Sequence, residues 1–196
     1  MTIHPRPLRL ALGIALSFAL LALPLPGESK PGADARKPDA QAQSGEAGSK
    51  LPWLAFDVAA EQASKQKKHM IVDIYTTWCG WCKVMDRQTY SNAQVVDYLS
   101  QNFVLAKVNG ESSAELHYKG EVMTERAFAR KVGVTGFPTT YFLKPDADII
   151  GGAPGFIAPD NFMIYAKYVS TKWYEKGSPQ DYVKATQQQG SAQPAN

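Results

Sequence analysis

Hydrophobic and polar positions divide the 196-residue chain into four stretches. The first contains an apolar run, Leu10–Leu23, and the second, Glu28–Lys50, has no Val, Ile, Leu, Met or aromatic residue. Apolar residues then recur with the short periods of strands and helices, before a polar ending, QQQGSAQPAN. The pattern predicts a leader at 1–29, a flexible linker at 30–50, one folded domain at 51–186 and a disordered tail at 187–196.

The folded stretch alternates between helical and strand-like patterns. Helices are predicted over 56–68, 83–90, 91–103, 123–134 and 158–177, and strands over 70–76, 103–108, 139–143 and 147–152. The middle of this order is typical of a βαβ unit, and its end of an antiparallel ββα unit. The domain is therefore expected to be of the α/β class.

Capping and turn residues set the predicted ends of these elements. Asp57 is a candidate cap of the first helix, and Ser91 stands at capping-box spacing from Gln94. The KPDA sequence predicts the turn of a hairpin between the last two strands. The residues GSP, at 177–179, are expected to end the final helix.

The leader has the form of a secretory signal. A basic start, MTIHPRPLR, precedes the apolar run, and the sequence PLPG follows it. Fourteen apolar residues are short for a membrane span, which needs about 20. Cleavage is the favoured interpretation, and a retained membrane anchor is the alternative. Either way, the leader predicts export to an oxidising compartment.

Composition and charge exclude little beyond nucleic-acid binding. The net charge is +3, and the leader's Arg6 and Arg9 supply two of those charges. No basic stripe interleaved with aromatic residues is present in the sequence, so a nucleic-acid surface is not predicted.

The sequence YTTWCGWCK holds the only two cysteines, Cys79 and Cys82. A zinc site needs about four ligands, and His69 and His117 do not stand at ligand spacing, so no metal is predicted. A purely structural disulfide is the alternative to a redox pair, but a two-residue spacer stabilises a fold little. The position between a buried strand and a helix favours a thiolate, and hence redox chemistry.

Five features together resemble the thioredoxin superfamily. WCGWC is similar to its WCxxC motif, and GVTGFPTTYFL to its loop with a cis-proline, here Pro138. Asp73 lies six residues before Cys79, where thioredoxins carry a buried acid, and Lys107 stands where they carry that acid's partner. Gly155 matches a glycine of the substrate groove. The resemblance implies a thioredoxin fold, a central mixed β-sheet flanked by helices.

The resemblance covers nearly all of Leu51–Val169 and has two departures. An excess of chain falls mostly in Gly110–Met123, and the last helix is extended. The chain looks most like the periplasmic thioredoxin-like proteins, and TYSNAQVVDYLSQNFVLAKV is similar to the C-terminal domain of DsbD-type reductases. The Gly-Trp spacer differs from the Gly-Pro of thioredoxin, so the reduction potential does not carry over.

The resemblance also implies catalytic roles. Cys79 is expected to be the nucleophile, and Cys82 the more buried residue that resolves the mixed disulfide, with Cys79–Cys82 as the redox disulfide. Asp73 is the candidate general base with a raised pKa; alternatively it is ionised, hydrogen-bonded and purely structural. Lys107 either pairs with Asp73 or extends to solvent.

The expected substrate-binding surface surrounds the dithiol. It comprises Trp78, Gly80, Trp81, Phe137, Pro138 and Gly155. No bound cofactor is expected, and the protein is expected to be a monomer.

The resulting hypothesis is a periplasmic thiol–disulfide oxidoreductase that reduces disulfides in exported proteins. The resemblance implies a membrane thiol reductase of the DsbD or CcdA type as electron donor. Two alternatives stay open: a disulfide oxidase, and a thioredoxin-like binding module or chaperone without turnover.

Overall fold

The computed structural model describes residues 50–191, with side chains to residue 188. The predicted leader, nearly all of the predicted linker and residues 192–196 lie outside the described residues. The helices are α1 (Phe56–Gln66), α2 (Gly80–Gln88), α3 (Ala93–Asn102), α4 (Glu125–Lys131), α5 (Pro159–Ser170) and α6 (Pro179–Ser191). The strands are β1 (His69–Tyr75), β2 (Phe103–Asn109), β3 (Glu115–Tyr118), β4 (Glu121–Thr124), β5 (Thr139–Leu143) and β6 (Ile149–Pro154).

Four strands form the central sheet in the order β2-β1-β5-β6. The β1–β2 pair is parallel, whereas the β1–β5 and β5–β6 pairs are antiparallel. The predicted mixed sheet, with its βαβ and ββα units, is therefore confirmed.

Strand β1 is buried on both faces, which explains its nearly continuous apolar sequence. Met70, Val72 and Ile74 pack in a core with residues of α1 and α4. Ile71 packs in a second core with residues of α2, α3 and α5. Because side chains alternate along a strand, Asp73 shares the face of Ile71 and points toward α2.

Two predicted helix caps are wrong. Ala55 precedes α1 as its N-cap residue, whereas the Asp57 carboxylate accepts hydrogen bonds from the backbone and ring of His117. Asn92, not Ser91, caps α3 and accepts from the N–H groups of the second and third helical residues. For α3 the residue next to the predicted one has the required geometry, whereas Ala55 has no polar side chain, so α1 has no side-chain cap.

The excess chain at Gly110–Met123 contains a hairpin that the sequence pattern did not predict. Strands β3 and β4 pair antiparallel across a turn at Lys119 and Gly120, both with left-handed φ angles of 51° and 82°. The predicted helix at 123–134 therefore begins later, at Glu125, with Thr124 as its cap. The Asp57–His117 contact holds this hairpin against α1.

The predicted helix at 158–177 is interrupted. It ends at Ser170, a 3₁₀ turn follows at Trp173–Glu175, and α6 then runs to Ser191. Residues 187–191, predicted as disordered tail, are therefore helical. No helix among the described residues is long and apolar enough to cross a membrane.

Candidate active site

The two cysteines form a disulfide at the start of α2, directly beyond the end of β1. Cys79 is the N-cap residue of α2, and its Sγ accepts a hydrogen bond of 3.0 Å from the backbone N–H of Cys82. A helix N-terminus favours negative charge, because its N–H groups and dipole point toward it. After reduction, the same N–H would face a thiolate at Cys79.

Both cysteines are buried, with exposed fractions of 3% for Cys79 and 5% for Cys82. The two cysteines are buried to nearly the same extent, so the values do not distinguish Cys82 as the more buried one, as the sequence had predicted. Two tryptophans beside the disulfide are instead highly exposed, Trp78 at 65% and Trp81 at 62%. The sulfurs thus lie beneath a surface in which large aromatic side chains face solvent, which is unusual for tryptophan.

Each exposed tryptophan is held by one aromatic neighbour. The indole of Trp78 donates a 2.8 Å hydrogen bond to Glu111 and packs edge-to-face on Phe137, with ring centroids 6.1 Å apart. The ring of Trp81 lies 5.8 Å from that of Phe156. Trp81, Phe137, Gly155 and Phe156 line an apolar groove at this surface. Gly80 is exposed, and an added Cβ there would meet no other atom.

The loop before β5 forms the other side of the site. The Phe137–Pro138 peptide bond is cis, and the Pro138 carbonyl accepts a 2.8 Å hydrogen bond from the N–H of Gly155. Gly155 has a φ of 82°, a conformation that favours glycine. The ring of Phe137 approaches Gly110 so closely that a Cβ on Gly110 would lie 2.5 Å from Phe137 Cε1.

Asp73 is a buried carboxyl on the face of β1 that points toward α2, with 2% of its surface exposed. The Tyr90 hydroxyl donates to its Oδ1 at 3.3 Å, and the same hydroxyl lies 3.3 Å from Oγ1 of Thr140. Burial raises the pKa of Asp73 to about 6; the Lys107 ammonium opposes this shift, and the Asp86 carboxylate adds to it. The carboxyl can therefore gain or lose a proton near neutral pH.

Lys107 contacts two carboxylates, and the nearer one is not Asp73. Its Nζ lies 2.8 Å and 3.0 Å from the oxygens of Asp86, but 3.7 Å from Oδ2 of Asp73. Burial lowers the pKa of Lys107, but the two carboxylates more than offset this, so the net pKa is raised. With Asp73 protonated, the charges of Lys107 and Asp86 balance; burial remains the main cause of the raised pKa of Asp73, and the Asp86 carboxylate adds to it.

Sequence reasoning missed four residues of this site: Asp86, Tyr90, Glu111 and Phe156. A signal existed for Asp86, which stands four residues after Cys82 and so shares its face of α2. Phe156 follows the predicted Gly155 directly. No local pattern marks Tyr90 or Glu111, since both act through contacts with residues distant in sequence.

The arrangement combines a dithiol, a helix N-terminus and a titratable carboxyl, a set suited to thiol–disulfide exchange. Among residues 50–191, no three side chains of His, Cys, Asp or Glu come together as a metal site.

Comparison with known proteins agrees with this geometry. Residues 56–170, more than half of the chain, match the thioredoxin-like domain family. The chain is similar to the thiol:disulfide interchange protein DsbD of Pseudoalteromonas atlantica, with 28% identity over 116 residues, 58% of this chain and 18% of that protein. An uncharacterised protein of Caenorhabditis elegans is 27% identical over 135 residues, 65% of this chain and again 18% of the relative.

A solved thioredoxin from Thermus thermophilus superposes with a TM-score of 0.52 and 25% identity, over 62% of this chain and 88% of that one. The chain thus spans less than a fifth of the two longer relatives but most of the length of a thioredoxin. The mixed sheet, the dithiol at the start of α2 and the family match lead to one conclusion: the chain belongs to the thioredoxin-like domain family.

Proposed function

We propose that this protein is a thiol–disulfide oxidoreductase that reduces disulfides in exported proteins through Cys79 and Cys82. The observation that carries the proposal is the Cys79–Cys82 disulfide at the N-terminus of α2, on the side of the sheet toward which the titratable Asp73 points. The similarity to DsbD, a thiol:disulfide interchange protein, supports the same reaction type.

The reaction starts from the reduced dithiol. The Cys79 thiolate, stabilised by the N–H of Cys82, attacks one sulfur of a substrate disulfide and forms a mixed disulfide. The other substrate sulfur leaves as a thiolate and takes a proton from solvent. At this point the mixed disulfide has replaced the substrate disulfide. One substrate sulfur is free as a thiol, and the other is still bonded to Cys79.

Cys82 completes the exchange. Its thiol gives its proton to the Asp73 carboxylate, directly or through water, and the resulting thiolate attacks Sγ of Cys79. The second substrate thiolate leaves, the Cys79–Cys82 disulfide forms, and two electrons have passed to the substrate. A base with a pKa of about 6 suits this step, because it is ionised at neutral pH yet basic enough to accept a proton.

The groove beside the dithiol offers a docking surface for the substrate chain. Trp81, Phe137, Gly155 and Phe156 supply apolar contact, and the backbone of Phe137, next to the cis bond, can pair with an extended substrate. Trp78 and Gly80 complete the surface that the sequence predicts.

The start of the sequence and the relatives support a cellular setting for this reaction. The leader-like start favours the periplasm, with or without a retained anchor. An oxidising compartment requires an electron donor, and the similarity to DsbD favours a membrane thiol reductase of the DsbD or CcdA type. No bound cofactor is needed for the exchange, and a monomer suffices.

Turnover of insulin disulfides with dithiothreitol as donor tests the proposal. We expect catalysed reduction by the wild type and none by Cys79→Ser. A wild type that gives no turnover would favour a binding module. The reduction potential against glutathione then gives the direction, since a potential well above that of the thioredoxins would favour an oxidase.

A further inference from the structure

A second cleft lies beside the groove, and helix α6 forms one of its walls. The cleft has a volume of about 700 Å³ and opens between β6, α5 and α6. Its apolar lining includes Phe156, Ile157, Ile164, Tyr165 and Val183. Helix α6 begins at Pro179, beyond the residues that match the thioredoxin-like family, so this wall of the cleft lies outside the matched domain.

One wall of the cleft offers unpaired backbone groups. β6 is an edge strand of the sheet, and its residues Gly152 and Pro154 line the cleft. Gly155 stands opposite Pro138 and donates a hydrogen bond to its carbonyl, so these two residues form a hydrogen-bonded pair of the antiparallel ladder. Because such positions alternate, the N–H and C=O of Gly152 and the C=O of Pro154 point away from β5, toward the cleft.

The cleft is continuous with the groove at the disulfide. Phe156 lines both, and Gly155 of the groove lies three residues along the chain from Gly152 of the cleft. At about 3.3 Å per residue, an extended chain bound at the groove reaches the cleft within three or four residues. The two surfaces can therefore contact one substrate segment.

We propose that this cleft binds an extended, apolar segment of the substrate polypeptide, adjacent to the cysteine that Cys79 attacks. The apolar walls take its side chains, and the edge of β6 pairs with its backbone, as in strand addition. The inference rests on the proposed function for the identity of the ligand. It adds a substrate class: polypeptides with apolar residues next to the disulfide, in preference to small disulfides.

Binding of labelled peptides by fluorescence anisotropy tests the cleft without any redox step. The probes are a four-residue peptide with Ser in place of Cys, and the same peptide with three apolar residues added at either end. We expect one extension to tighten binding to the wild type by about tenfold or more, as burial of one apolar side chain gives. Val183→Glu should abolish that gain. Val122→Glu, at an exposed valine of β4, should retain it.

A modified peptide tests the cleft without any change to the protein, in case Val183→Glu disturbs the fold. N-methylation of the extension removes the donors that would pair with the carbonyls of Gly152 and Pro154. We expect it to return binding to the wild type to the level of the short peptide. An effect of side chains alone, with methylated and unmethylated extensions binding equally, would overturn the pairing with β6.

Other outcomes assign the cleft differently. Equal binding of short and extended peptides overturns the proposal, even if insulin is reduced, and leaves the proposed function standing. If the protein self-associates, Val183→Glu removes the self-association and extension of the peptide gives no gain, the cleft binds a second copy of the chain. That result overturns the proposal. A gain seen only after removal of residues 1–49 assigns the cleft to that segment and also overturns it. Extension-dependent binding without insulin turnover supports the cleft and contradicts the proposed function.

Discussion

The ammonium of Lys107 lies 2.8 Å from Asp86 but 3.7 Å from Asp73. The ammonium of Lys107 therefore pairs more closely with the carboxylate on α2 than with the one on β1. Asp73 has a neutral hydrogen-bond donor, Tyr90, and a cation at 3.7 Å that both lower its pKa, but burial outweighs them and raises it. This arrangement separates the structural ion pair from the candidate base.

Asp73→Asn should change how stability depends on pH. The pKa of Asp73 rises from 3.8 to about 6 on folding. The protonated carboxyl therefore leaves the fold at full stability below pH 4, and the fold loses stability as pH rises through 6 and the carboxyl ionises. This difference corresponds to about 3 kcal/mol of unfolding free energy. Relative to the variant, the wild type should therefore lose about that much between pH 4 and pH 7.

Urea melts of the oxidised proteins at several pH values measure this effect. Asp97→Asn, which changes a carboxylate of α3 that accepts from Gln101, is the control and should follow the wild type. Parallel curves for wild type and Asp73→Asn would contradict the raised pKa. The same variant should slow resolution of the mixed disulfide by Cys82.

Asp86→Asn should lower the pKa of Asp73. The substitution removes a carboxylate that raises this pKa and frees Lys107 to approach Asp73. We expect the pH midpoint of the resolving step to fall from about 6 toward the ordinary value near 4. Single-turnover reduction rates between pH 4 and pH 8 measure it.

Tyr90→Phe should shift the pKa of Asp73 in the opposite direction. The Tyr90 hydroxyl lowers the pKa of Asp73 through its hydrogen bond, so its loss should move the same midpoint upward. Midpoints that shift in the same direction in both variants would show that the profile reports a group other than Asp73.

Cys82→Ser should trap substrates as mixed disulfides. Cys79 retains its position at the N-terminus of α2 and can still attack, but no second thiol is present to release the product. Non-reducing gels of exported proteins should show adducts that disappear with dithiothreitol. Cys79→Ser should show none, and adducts of equal yield there would reverse the assigned order of attack.

Gly110→Ala should disturb the site through Phe137. The added Cβ would lie 2.5 Å from Cε1 of Phe137, so the ring that packs against Trp78 must shift. We expect a loss of roughly 1–3 kcal/mol of stability, typical of overpacking, and slower insulin reduction. Gly136→Ala is the matched control, because a Cβ at that position meets no atom. Equal stability of the two variants in urea would show that the ring moves without cost.

Periodicity and motif spacing predicted the parts of the molecule that local sequence determines. The strand at 139–143 has the predicted bounds. The buried apolar run correctly predicted β1, with Asp73 inside the strand and the dithiol directly after it. The hairpin of β3 and β4 was missed, because four-residue strands at the surface carry too little alternation to recognise.

Side-chain partners were harder to predict than elements. Lys107 was assigned to Asp73 or to solvent, whereas its nearest partner, Asp86, lies 21 residues earlier on a different element. The burial of Cys79 also escaped prediction, since it depends on how the side chains around the disulfide pack. Such contacts follow from tertiary packing, which a single sequence does not show.

The two edges of the central sheet differ in their capacity for uncontrolled pairing between copies. The β2 edge is covered locally by Leu54, which bonds to the backbone of Leu105 and Lys107. At the β6 edge, Pro154 presents a carbonyl but no N–H, so a second strand cannot extend a complete ladder there. Both devices are typical of sheets that resist aggregation. The chain can therefore leave Gly152 open to a partner without offering a long template for fibril growth.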